Sequence, residues 1–349
     1  YDAFSVADTV SSKDGGSFVG NVNFGGDLSS NTAGTSNFRA GVNAGNSITS
    51  GGNYNVTIGD EAGTALTTGD DNVAVGFEAL STEDTGTRSV AVGYRALKVQ
   101  NNDSTNYNVA IGYDAGLSIT TGTQNVLIGG KTGDALTTGT DNVAIGRASL
   151  TSDDVGSKTV AVGMNTLAAQ NYATATDSYN TAVGYSAGTS VTTATNSTII
   201  GALAGDAITT GGNNTLVGYN SGGAIIGGDT NSAFGKDALK TCTSGTNNSA
   251  IGTRSLQLLT SAASNVAVGD LAGAAVTTGD GNTFVGVNAG DSCTDSVNCV
   301  AIGINALGGA DADHSNVAVG QLTLNTCTGD SNTAVGDRAG SDVTSGDNN

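Results

Sequence analysis

The residues best suited to chemistry in this 349-residue chain are few and scattered. Its single histidine, His314, stands in the turn ADADHSN with no nucleophile motif around it, and reads as a solvated turn residue. The run GKDALKT, residues 235–241, lacks the spacing of a phosphate-binding loop. Turns such as TTGDDN, TTGTDN and TTGDGN offer oxygen ligands of the kind calcium takes. The Gly-Gly-x-Gly-x-Asp pattern of calcium β-rolls is absent, however, and Asp and Asn favour turns for backbone reasons alone. There are four cysteines. Cys242, Cys293 and Cys327 recur at one place in a repeat, windings apart and out of disulfide reach, and read as small core hydrophobes. Cys293 and Cys299 flank one turn and form the candidate disulfide, which would suit an oxidising compartment. No catalytic, cofactor or metal residue is assigned, with calcium kept as an alternative. The chain reads as a non-enzyme.

What carries these residues is a strict repeat. Taking the glycine that follows each apolar run as position zero, it recurs eighteen times from Gly41 to Gly336. Thirteen of the intervals are 17 residues long and the other four are 16, 18, 19 and 21. A degenerate earlier copy, NVNFG at 21–25, starts the series, so residues 1–20 form a non-repeat cap or linker and 21–349 the repeat domain. Self-similarity of this kind signals a solenoid. Seventeen residues allow two strands of about five and two turns, giving a flattened, two-sided parallel β-roll of about eighteen windings. Register must hold throughout, since a slip of one residue turns a strand's core face outward. The 54 glycines and the absence of proline agree, because proline cannot donate to a strand ladder.

Each position of the winding has its own chemistry. Before the glycine stands Val, Ile or Phe in all windings but one (Ala40), with mostly Ala at −2 and Val or Thr at −3. That small Ala row reads as a contact for other copies of the chain. At −4 an Asn recurs, at 72, 108, 125, 142, 180, 214, 231, 248, 265, 282, 316 and 332 among others. These residues (Asn72, Asn108, Asn125, Asn142, Asn180, Asn214, Asn231, Asn248, Asn265, Asn282, Asn316 and Asn332) are expected to form a ladder of side-chain amides. At +4 the residue is always Gly or Leu. Where it is Gly, position +7 is aliphatic or Cys293; where it is Leu, position +7 is polar or small except at Leu259. The two positions therefore read as one core slot filled once per winding, since overfilling and underfilling both cost about 1–3 kcal/mol or more.

Surface candidates come from interruptions and aromatics. Three lengthened turns end in Tyr-Asn, at Tyr54, Tyr107 and Tyr179, and insertions in repeat proteins map to loops, often on the binding face. Tyr107, Tyr172 and Tyr179 are thus candidate contact residues. Phe77, Tyr94 and Tyr113 follow the glycine in three consecutive windings and predict a short aromatic stack, at a subunit contact or on an exposed adhesive strip. Paired threonines such as Thr67-Thr68 lapse after two windings, too soon for an ice-binding lattice.

A net charge of −19 with twelve Lys and Arg speaks against nucleic acid, and no apolar run approaches the roughly 20 residues that cross a bilayer. The sequence opens at Tyr1 without a signal peptide, as expected of a processed product or a segment of something longer. Its NVAVG, NVAIG and NTAVG runs, each followed by a small residue, resemble the head repeats of YadA-type trimeric autotransporter adhesins, NSVAIG in their usual form. They are similar also to repeat regions of phage tail-fibre proteins, particularly of marine phages. The resemblance covers residues 37–349. It implies a left-handed roll, a homotrimer, and an extracellular or virion-surface fibre that attaches to a cell through a glycan or receptor. Adhesin head repeats are usually shorter than seventeen, and no coiled-coil stalk or anchor is seen here, so a fibre segment is favoured. The alternatives are an extracellular filament that grows end to end, and a β-roll that binds calcium or a small ligand.

Overall fold

The computed structural model describes residues 33–309, 311–312 and 314–349. The segment 1–20 and the degenerate winding at 21–25 lie outside the described residues. The chain is an all-β parallel solenoid. One strand from each winding joins an 18-stranded parallel sheet, and the register never slips: Val75 pairs with Val92, and Val92 with Ile111. The inserted residues of the three lengthened windings are absorbed in turns, so the strands on either side still meet residue for residue, as Val160–Val162 meets Thr181–Val183.

The strands are shorter than the expected five residues. Each main-sheet strand has three, such as Val73–Val75 and Val143–Ile145. The opposite arm of the winding is not a regular strand. It holds to its neighbour by isolated backbone bonds such as Thr67 N–H to Asp84 O at 2.7 Å and Thr243 N–H to Thr260 O at 2.8 Å, and outside the main sheet Gly156–Ser157 pairs with Thr176–Asp177 as a short parallel ladder. The cause lies in the backbone: positions −5, +2 and +4 adopt left-handed φ in winding after winding, as at Arg88, Arg95 and Leu97 (φ 62°, 53° and 50°). Left-handed residues break an extended run.

The two faces of the strand are the reverse of the expectation that the alanines meet other copies. The alanine row at −2 (Ala74, Ala91, Ala110 and their equivalents) is fully buried inside the winding. The β-branched rows at −3 and −1 point outward and stay partly exposed. In most windings the strand contributes a methyl group here, although Leu127 with Leu136, Ile199 with Ile208 and Leu216 with Ile225 are buried on both arms of one winding.

The slot shared by +4 and +7 is visible atom by atom. A Cβ built on Gly205 would lie 2.8 Å from Ile208 Cδ1, and one on Gly222 2.8 Å from Ile225 Cδ1. A third position takes part. All eight windings with Leu at +4 carry Ala at −2, whereas Leu127, Ile199, Leu216 and Phe284 at −2 all occur in Gly windings. A Cβ on Gly290 would meet Phe284 at 2.5 Å. Where −2 is large, as at Leu127, Ile199 and Leu216, the same winding also buries a large +7 residue (Leu136, Ile208 and Ile225), and its +4 position is glycine.

Position zero is glycine for two reasons. At Gly112 φ is +141°, and an added Cβ would come within 2.4 Å of the Gly129 carbonyl oxygen in the next winding. Neither the conformation nor the approach admits a side chain.

Candidate functional site

The asparagines at −4 are buried, and each links two windings. The Asn125 backbone N–H donates to Asn108 Oδ1 at 2.9 Å, and its Nδ2 donates to Gly139 O at 2.9 Å. Asn142, Asn231, Asn248, Asn265 and Asn282 repeat this pattern. Asn72, Asn214, Asn316 and Asn332 likewise donate to the carbonyl of the neighbouring turn. The ladder satisfies buried backbone groups that the three-residue strands leave over.

Below two lengthened turns the ladder joins a buried polar relay. Glu83, fully buried, accepts from Gly86 N–H at 2.8 Å, Gln100 Nε2 at 2.9 Å and Asn106 Nδ2 at 3.1 Å. Gln100 Oε1 in turn accepts from Asn108 Nδ2 at 2.8 Å. Four windings on, Asp153 accepts from Gly156 N–H and Gln170 Nε2, and Gln170 Oε1 accepts from Asn180 Nδ2. Burial pushes the Asp153 carboxyl above its ordinary range, against the opposing hydrogen bonds from Gln170 and Gly156. Both relays fill the core slot that aliphatic residues fill elsewhere. Their pairing was hidden in the sequence because the partners are one winding apart.

The Asp-bearing turns spend their carboxylates on backbone. Asp229 Oδ1 accepts from Gly212 N–H at 2.6 Å, and Asp280 Oδ1 from Ala263 N–H at 2.6 Å. His314 sits in the same column and accepts from Val297 N–H through Nδ1. Among the described residues, no group of three or more His, Cys, Asp or Glu side chains is placed to hold a metal ion. No helix there is long and apolar enough to cross a membrane.

Cys293 and Cys299 are buried thiols and not the candidate disulfide. They occupy different columns: Cys293 lies in the core slot, its Sγ against Leu307 O, whereas Cys299 replaces a ladder asparagine and its N–H donates to Asn282 Oδ1. Burial pushes the Cys242 thiol up to about 11 and the Cys293 thiol up to about 12, and raises Cys299 as well. Thiolates are the reactive form. Ellman's reagent at pH 8 should therefore label none of the four cysteines in the native chain and all four after guanidinium unfolding; a thiol that reacts within minutes in the native state would contradict this packing.

The candidate contact residues divide. Tyr172 is not at the surface: it is buried, donates from its hydroxyl to Ala194 O at 2.8 Å and accepts from Asn180 Nδ2 at 3.2 Å. The long turn folds inward there and lets the ring plug the end of the polar relay. Tyr107 and Tyr179 are exposed, each beneath a cation from the preceding winding, with Arg88 5.5 Å and Lys158 5.3 Å from the ring centroids. Phe77, Tyr94 and Tyr113 stack along the rod, with centroids 5.4 and 5.2 Å apart and interplanar angles of 16° and 5°. Tyr185 and Tyr219 occupy the same column further along and are as exposed as Tyr113. Sequence reasoning passed over them, although counting one residue past each position-zero glycine finds them.

The outward face of the sheet is a long uncharged surface. From Phe38 to Val335 its two rows contain only apolar residues, Thr, Ser and Ala, with no charged side chain. At about 4.8 Å per winding and about 10 Å across, this strip covers about 850 Å². Comparison with protein-family models, with curated proteins and with solved structures found no match.

Proposed function

We propose that this chain is a structural and adhesive fibre element without catalysis, a segment of a phage tail fibre or a similar attachment appendage on an extracellular or virion surface. In this reading it assembles as a homotrimer through the outward rows of its sheet. The observation that carries the proposal is the uncharged outward strip of Val, Ile and Thr with a few Phe, Ser and Ala. Its −1 row is apolar from end to end and takes up about half of the strip's area, within the roughly 300–600 Å² of the largest, often functional, apolar patches on monomers. The whole strip matches the roughly 800 Å² per partner of a stable interface. Its rows repeat at one spacing along the rod, so two parallel copies present complementary ridges over their whole length. The stiffness needed for such a role comes from the unbroken register and from the amide ladder.

Sedimentation equilibrium of the full chain should give a single species of three copies whose mass does not rise with concentration. The double variant Val143→Glu with Ile145→Glu should sediment as a monomer with unchanged circular dichroism, since an unpaired carboxylate buried in an apolar contact costs several kcal/mol. A native chain that is monomeric at micromolar concentration would sink this reading, as would a double variant that still assembles. A mass that climbs with concentration would favour end-to-end filament growth instead.

A further inference from the structure

We infer that the outer face of the Tyr113 ring, over Gly130, is a binding site for a planar aromatic anion, a flat ring that carries a carboxylate or a similar group. Phe77, Tyr94 and Tyr113 stack in consecutive windings, with the planes of the last two within 5° of parallel and their centroids 5.2 Å apart. The place where a fourth ring would stand belongs to Gly130, in a winding tied to this one by the bond from Lys131 N–H to Tyr113 O at 2.8 Å. The face of Tyr113 turned away from Tyr94 is therefore bare. Tyr113 is 52% exposed, against 41% for Tyr94, which has a ring on each side.

Gly130 is the one glycine at this position in the eighteen windings, and its backbone does not call for one. Its φ is not left-handed, and an added Cβ would meet nothing closer than Tyr113 O at 3.9 Å. Tyrosine stands at the same position at Tyr94, Tyr113, Tyr185 and Tyr219. What the glycine supplies is room, about 5 Å beyond the Tyr113 ring, which is the spacing of offset-stacked aromatics. The occupant is flat because flat rings fill this column in the windings before it.

Its charge follows from the surroundings. Lys131 lies beside Gly130, and Arg147 holds the same column one winding on; both are exposed. Neither side chain has an ion pair or a hydrogen bond among the described residues, whereas Arg88, Arg95, Lys98, Lys158 and Lys240 all pair with carboxylates. Asp114, next to Tyr113, is occupied by Arg95, which donates to both its oxygens at 2.9 Å. A ring over Gly130 would lie about 5 Å from the winding of Arg147, within the roughly 6 Å over which a guanidinium attracts an aromatic face. The chain already sets Arg95 4.9 Å from the Tyr94 ring. At the opposite end of the stack Asp60 precedes Phe77 in the column, and an anion is repelled there.

The site lies within one chain, so it stands apart from the attachment reading. The test is saturation-transfer NMR with calorimetric titration on the full chain, using naphthoate as the probe. Cyclohexanecarboxylate serves as an anion that is not flat, and naphthol as a flat ring without charge. Naphthoate should bind at one site per chain, and each control at least about threefold more weakly. Its affinity should fall at least about tenfold in Gly130→Tyr, which fills the place with the chain's own ring, and at least about fivefold in Lys131→Gln with Arg147→Gln. Tyr54→Ala should leave it unchanged. Gly130→Tyr repeats a residue the column already carries, so its urea midpoint should match the parent's. If that midpoint falls, the double variant decides alone, since it alters only two exposed side chains without partners. The inference is overturned if naphthoate is not held, if the folded Gly130→Tyr or the double variant binds it as the parent does, or if cyclohexanecarboxylate binds as tightly.

Discussion

Replacing Gly112 by valine is expected to destabilise the rod by roughly 4 kcal/mol or more, whereas Gly130→Ala, on the following winding, should change stability by no more than about 1 kcal/mol. The two glycines differ in what surrounds them. Gly112 has φ +141°, and its Cβ would meet only backbone, the Gly129 oxygen at 2.4 Å and carbon at 2.6 Å. Those atoms cannot move aside, because Gly129 N–H is bonded to Ile111 O at 2.8 Å. Gly130 has no left-handed backbone, and its Cβ would meet nothing closer than Tyr113 O at 3.9 Å. In a solenoid each winding contacts only its neighbours, so a broken junction separates two cooperative blocks. Urea unfolding of Gly112→Val should accordingly show a lower midpoint and a broadened or double transition. A single transition at the parental midpoint would mean that the windings do not approach one another this closely.

The second large effect is an exchange. Leu239 sits at +4 with φ 50° and is fully buried, as is Cys242 at +7. Leu239→Gly alone should cost about 2–5 kcal/mol by leaving a cavity, and Cys242→Ile alone about 1–3 kcal/mol by overpacking. Together they rewrite the winding in the Gly-plus-Ile form that the chain uses at Gly205 and Ile208. The double variant should regain at least about 2 kcal/mol relative to the sum of the singles. It also removes a leucine from a left-handed conformation, which costs an L-residue roughly 1–2 kcal/mol. Urea midpoints of the four chains give the coupling directly; simple additivity would rule out a shared volume.

The parallel winding was legible because every column is sampled eighteen times: the period, the position-zero glycines and the exchange between +4 and +7 are all in the letters. The direction of the strand faces was not. Val-Ala-Val is apolar on both sides, so alternation alone does not say which side is inward; the structure puts Ala74 inside and Val73 and Val75 outside. Strand length was hidden for another reason. Arg88, Arg95 and Leu97 are not turn-forming types, yet the stacking of windings holds them left-handed. The surface reading divided similarly. Tyr107 and Tyr179 stand in the exposed, left-handed −5 column of turn residues, while Tyr172, inside a long turn of similar composition, is drawn in by the buried Asn180 and Ala194 groups that its hydroxyl satisfies.

The central claim is that successive windings lie on one another at a constant rise. Spin labels on Gly130→Cys and Asp270→Cys, eight windings apart in one exposed column, measure it directly by double electron–electron resonance, with labelled chains diluted into unlabelled ones. The stacked rod predicts one narrow distance near 38 Å, at about 4.8 Å per winding. A broad distribution, or a peak well short of that separation, would contradict it.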